Sequence, residues 1–245
     1  MKLSTYIICV ILLICCEAKD KPVYENIPCN PQTISTLNIF KPCRQYIYKA
    51  TYKDADLNLI SDEYIRMIAT GKNWEMQPEF QKELIIQYHY KEALIDQIAD
   101  HNINKSYPKN EWIKKEVTGV IEDKYTVWMH PFRANQYMFT EVACFPTVQL
   151  PLETGKNWES NLNIYEGWGD WSNSKVKNKY EVLEFETVDT PFKKLNAWHI
   201  IGTSSAPFGV STHHFWFNSE YGFVKMEIKN YEGQLLIFEL ESVTD

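Results

Sequence analysis

Alternation of apolar and polar positions dominates the chain from residue 44 onward. Tyr46, Tyr48, Ala50 and Tyr52 alternate with Gln45, Ile47, Lys49 and Thr51, while Leu84, Ile86, Tyr88 and Tyr90 alternate with Ile85, Gln87 and His89. A period of two puts one set on the core face of a strand and the other on its opposite face. The stretch 91–101 predicts a short helix instead, because Leu94, Ile95 and Ile98 recur at helical spacing with Glu92 early. The last third predicts five consecutive strands, over 178–188, 195–203, 210–218, 222–230 and 234–241. Their short links, such as Asp189-Thr190-Pro191 and Asn230-Tyr231-Glu232-Gly233, demand hairpins and hence an antiparallel meander. Val224, Met226 and Ile228 face one way and Lys225, Glu227 and Lys229 the other, as in a sheet packed on one side. The fold class predicted is mainly β. It is a large, curved antiparallel sheet, as a half-barrel or an open barrel or sandwich, with at most one or two short helices.

The start of the chain breaks this pattern. Lys2 is its only charge before Glu17, and 7–14 is an apolar run interrupted only by Cys9. That reads as a secretory signal peptide over 1–15, too short for a span of about 20 apolar residues. Leu13-Ile14-Cys15-Cys16 resembles a bacterial lipobox, which makes Cys16 the acylated residue and 16–43 a tether. Ordinary cleavage after Cys16-Glu17-Ala18 would instead release a free protein. The body without its first 15 residues carries 24 basic and 32 acidic side chains. So acidic a body does not dock on anionic lipid by charge, and the expected membrane partner is reached through the acyl chains.

Residues 44–245 form one expected domain. Thr70-Gly71-Lys72-Asn73-Trp74-Glu75 recurs identically at 154–159, which fits either a turn that launches a strand or two related halves meeting near 118–155. Of the remaining cysteines, Cys29 and Cys43 are the candidate disulfide, closing a Pro-bearing loop for about 3 kcal/mol. Equally, Cys29, Cys43 and Cys144 could be small buried apolar residues.

Composition narrows the function classes. With 44% apolar and 23% charged residues and a net charge of −7, neither disorder nor a nucleic-acid binder is expected. The excess is aromatic, with 15 Tyr, 12 Phe and 8 Trp, and it collects around Trp128–Phe132 positions, 158–171 and 215–217. No nucleophile elbow, phosphate loop or dinucleotide fingerprint occurs, so no catalytic residue or cofactor is expected. Adjacent His213 and His214 point to opposite faces of a strand and cannot share one ion. His214 lies with Trp216 and could meet His199 if the register allows, but no motif spacing predicts a metal site.

The central segment carries a resemblance. Val127-Trp128-Met129-His130-Pro131-Phe132-Arg133, then Phe145-Pro146 and the later Phe215-Trp216-Phe217, resemble a family of uncharacterised Bacteroidetes-type exported lipoproteins, from about Gly119 to Leu240. The meander is also similar in architecture to the curved half-barrels of LolA/LolB-type lipoprotein carriers. The resemblance implies a β-rich protein of the bacterial cell envelope and supplies no activity or catalytic residue. Pro131 must end its strand, and Arg133 could stack on Trp128 or Phe132 or pair with Glu141. The corner at Trp128, His130, Phe132 and Arg133 is thus either structural or a recognition loop. Together with Trp168, Trp171, His214 and Trp216, these are the candidate ligand-binding residues. The expected function is a non-catalytic binding or envelope-maintenance module for a small apolar or amphiphilic ligand. Two alternatives stand beside it: a secreted hydrolase with an acid pair drawn from Glu159, Glu166, Asp170 and Glu184, and a structural subunit of a surface complex.

Overall fold

The computed structural model describes residues 22–29, 36–106 and 112–245. The expected signal peptide, Cys16 and part of the expected tether lie outside the described residues. Twelve strands form one antiparallel, barrel-like sheet: β1 (Gln45–Lys53), β2 (Leu59–Asn73), β3 (Lys82–His89), β4 (Lys115–Glu122), β5 (Thr126–Met129), β6 (Thr147–Gln149), β7 (Asn157–Ile164), β8 (Ser174–Asp189), β9 (Lys194–Ala206), β10 (Gly209–Asn218), β11 (Gly222–Lys229) and β12 (Leu235–Thr244). Their order is β6-β5-β4-β3-β2-β1-β12-β11-β10-β9-β8-β7. Two six-stranded meanders therefore meet where the first strand pairs with the last.

All five strands expected in the last third are present, as is the short helix, a 3-10 turn at Glu92–Leu94 leading into α1 (Ile95–Ala99). In β1 the expected alternation is realised: Tyr46, Tyr48, Ala50 and Tyr52 are buried. A buried phenol needs a partner. Tyr46 Oη donates to the Ile39 carbonyl at 2.5 Å, Tyr48 Oη to that of Phe223 at 2.9 Å, and Tyr52 Oη to Gln234 Oε1 at 2.8 Å.

A strongly curved sheet needs something inside it. The interior is filled by the chain between β5 and β6, which enters the barrel and turns through a 3-10 segment at Asn135–Val142. Phe132 packs its ring 5.1 Å from Tyr48 and 5.0 Å from Phe238, and Tyr137 lies 5.4 Å from Phe238. At the far end of this plug, buried Cys144 sits against Ser204 and Gly202 of β9. His213, also buried, has Nδ1 2.6 Å from the Cys144 carbonyl, so that nitrogen is the donor.

The edges are blunt. β6 has three residues, and β7 presents Glu159, Ser160, Asn161 and Asn163, which discourage pairing with another chain. Cys29 and Cys43 are bridged, with Cα atoms 5.6 Å apart. Beside them Glu122 accepts hydrogen bonds from the backbone N–H groups of Asn38, Ile39 and Phe40 at 2.7, 3.0 and 2.9 Å. Among the described residues, no helix is long and apolar enough to cross a membrane.

Candidate ligand-binding site

β5 stops at Met129, because Pro131 has no N–H to offer a ladder. The chain then buries Phe132 in the core and returns Arg133 to the inner wall. Here the backbone N–H groups of Arg133 and Ala134 point to Tyr88 Oη at 3.3 and 3.4 Å, and Tyr88 Oη donates to Glu116. Arg133 lies between two carboxylates, with Nη1 2.9 Å from Glu141 Oε1 and Nε 3.4 Å from Glu116 Oε2. Burial pushes both carboxyls above their ordinary range, against the pull of the guanidinium between them. Arg133 Nη1 also donates to His130 Nδ1 at 3.1 Å. Burial, reinforced by that guanidinium, drives His130 down to about 3, so its ring is a neutral acceptor.

Beyond this cluster opens a cavity of about 320 Å³. Its apolar wall is made by Ile95, Ile98 and Ala99 of α1 with Trp112, Ile113, Met138 and Trp168; Arg133, Glu141, Asp96 and Gln136 supply its polar lining. The i, i+3, i+4 spacing of the helical residues is what presents them to one side. Trp168 is fixed at its backbone, where its N–H donates to Ser172 Oγ at 2.9 Å and its carbonyl accepts from Asn104 Nδ2 at 2.8 Å. Gln136 reaches from the cavity to buried Glu63, donating through Nε2, while Tyr137 Oη donates to the same carboxylate oxygen at 3.1 Å. Burial raises Glu63 to about 7, more than those hydrogen bonds lower it. A second cavity, of about 520 Å³, lies between Val23–Glu25 positions and β3 and has polar walls including Gln87, Lys114 and Lys115.

The expected ligand residues fall in separate places. Arg133 and Trp168 line the 320 Å³ cavity. Trp128 and His130 form an edge-to-face pair at 4.6 Å, flanked by Trp74 and Phe145. Phe132 and Trp171 are wholly buried, the latter donating from Nε1 to Tyr231 Oη at 2.7 Å. His214 and Trp216 lie on the opposite face of β10 from His213 and Phe215, next to His199. Three of the four carboxylates considered for a hydrolase have different neighbours: Glu159 faces Lys179, Asp170 faces Ser106 and Glu184 neighbours His199. Glu63, Glu116 and Gln136 were not legible as site residues. The only signal was a charge at an inward position, as where Glu116 points in while Val117, its neighbour, is exposed.

No family model matches this sequence, and no curated protein does. Solved structures do show similarity. One is a protein from Bacteroides fragilis described as exported with a YmcC-like fold, 13% identical, TM-score 0.41, covering 83% of this chain and 96% of its own. Another is described as a lipoprotein from Parabacteroides distasonis, 10% identical, TM-score 0.44, covering 86% and 100%. A LolA superfamily protein from Nitrosomonas europaea is 9% identical, TM-score 0.31, covering 83% and 86%. Both kinds of protein that the sequence resembles are among them.

Proposed function

We propose that this chain is an exported, lipid-anchored binding module of the bacterial envelope that holds a small apolar or amphiphilic ligand, without catalysis. The observation that carries the reading is the 320 Å³ cavity, with an apolar wall of Trp112, Met138 and Trp168 beside the Arg133–Glu141 pair. Such a volume stands at the small end of ligand pockets. The occupant is therefore one short apolar chain or ring system, since Phe132, Tyr137 and Phe139 already fill the barrel interior. Around Arg133 two carboxylates outnumber one cation, and Asp96 adds a third at the rim. A neutral or cationic polar end suits that lining better than an anionic one.

The test is a fluorescence titration with N-phenyl-1-naphthylamine, displaced by dodecylammonium or by dodecyl sulfate. We expect saturable binding, displacement favouring the ammonium compound, and affinity about tenfold weaker in Trp168→Ala, a loss of about 1.4 kcal/mol. Equal affinity of Trp168→Ala and wild type would refute the cavity as the site. Membrane attachment is tested separately. Cys16→Ala should move the protein from the membrane to the soluble fraction, and an unchanged membrane fraction contradicts the anchor.

A further inference from the structure

We propose that His199, Glu186 and Glu184, on the outer face of the sheet and apart from the cavity, form a binding site for a divalent transition metal such as zinc. One ligand atom from each of the three lies within 4.8 Å of the others. The site depends on a local irregularity. A β-bulge between Val182 and Glu184 shifts the register of β8 against β9, so that Val182 stays opposite buried Ile200 whereas Glu184 comes opposite His199. Bulges re-aim side chains in this way, and here the bulge brings Glu184 and Glu186 to the face that carries the imidazole.

The surroundings orient these groups as metal ligands are oriented. His199 Nδ1 is 3.1 Å from Glu186 Oε1, and its Nε2 is 2.9 Å from His214 Nδ1. In the tautomer whose Nε2–H donates to His214 Nδ1, the Nδ1 lone pair of His199 is turned toward the two carboxylates. A metal-bound histidine characteristically spends its other N–H on such a partner. Trp216 donates from Nε1 to Glu186 Oε1 at 2.7 Å and stacks on the His199 ring at 4.4 Å, fixing both. Lys225, which lies over the Trp216 ring, is engaged by Glu227 at 2.8 Å and Glu239 at 3.8 Å. One imidazole and two carboxylates suit zinc, and the exposure of Glu184 leaves the remaining position to water.

The experiment is calorimetric titration of the purified full chain with zinc chloride, paired with cobalt(II) absorption spectra. We expect one zinc per chain, cobalt d–d bands from nitrogen and oxygen ligands, no binding in His199→Gln, and at least tenfold weaker binding in Glu184→Gln. Glu184 is exposed, so its variant keeps the test valid should His199→Gln fold poorly. His89→Gln, on a distant strand, should bind as wild type does. Unchanged zinc affinity in Glu184→Gln, or an equal loss in His89→Gln, would overturn the site and leave only adventitious surface binding.

Discussion

Replacing Glu63 with Gln should change how stability depends on pH more than it changes stability at any one pH. Glu63 is 4% exposed, on an inward position of β2, and burial raises its carboxyl from 4.5 to about 7. The folded chain thus holds this proton more tightly than the unfolded chain. The resulting stabilisation is fully present below about pH 4.5 and is lost as pH rises through about 7. Between pH 5 and pH 8 the shift removes about 2–3 kcal/mol of stability. An amide at position 63 keeps an oxygen for Gln136 and Tyr137 and has no proton to lose. Whatever fixed cost its NH₂ group carries is the same at both pH values and cancels in the difference. Urea unfolding at pH 5 and pH 8 measures it. Wild type should lose about 2–3 kcal/mol more than Glu63→Gln over that interval, while Glu116 and Glu141 contribute equally to both. Identical slopes in the two proteins would refute the assignment of a buried, protonated Glu63.

Two other substitutions probe the same interior. Arg133→Met leaves Glu116 and Glu141 buried without their cation and should destabilise by about 3–5 kcal/mol at pH 7. The penalty should shrink toward pH 4, because carboxyls whose folded pKa is raised cost nothing once protonated in both states; a pH-independent penalty in urea melts would contradict the charge cluster. Gly202→Ala would set a Cβ 2.8 Å from both Cβ and Sγ of Cys144. It should lower stability by about 1–3 kcal/mol, partly recovered in the double variant with Cys144→Gly, whereas an unchanged unfolding midpoint would mean the plug does not press on β9.

The sequence was most informative where one face is dry and the other wet. β11 alternates from Val224 to Lys229 and β12 from Leu235 to Leu240. It was least informative where a charge faces inward or a strand has no dry face. Glu63 interrupts the apolar set of β2, which continues through Ile65, Met67 and Ala69, and β7 is a polar edge. The repeated Thr-Gly-Lys-Asn-Trp-Glu serves two ends. Its second copy turns at Gly155 (φ 82°) and launches β7, as expected of such a turn, whereas its first copy ends β2 and places Trp74 beside His130. For the sites, Pro131 foretold the corner and Glu141 was a foreseen partner of Arg133. The meeting of His199 with His214 depends on the register of β9 against β10, and that of His199 with Glu184 on a bulge in β8, neither of which a local pattern specifies.

The pairing of β1 with β12 joins residues almost the whole chain apart, with Gln45 opposite Thr244. Until β12 is in place the two meanders are not joined. A nascent or truncated chain would therefore expose the tyrosine-rich inner face of β1 along an unpaired edge, and the loop to be closed makes folding slow. β12 is thus the joint between two halves, each of which is built from pairings between neighbouring strands.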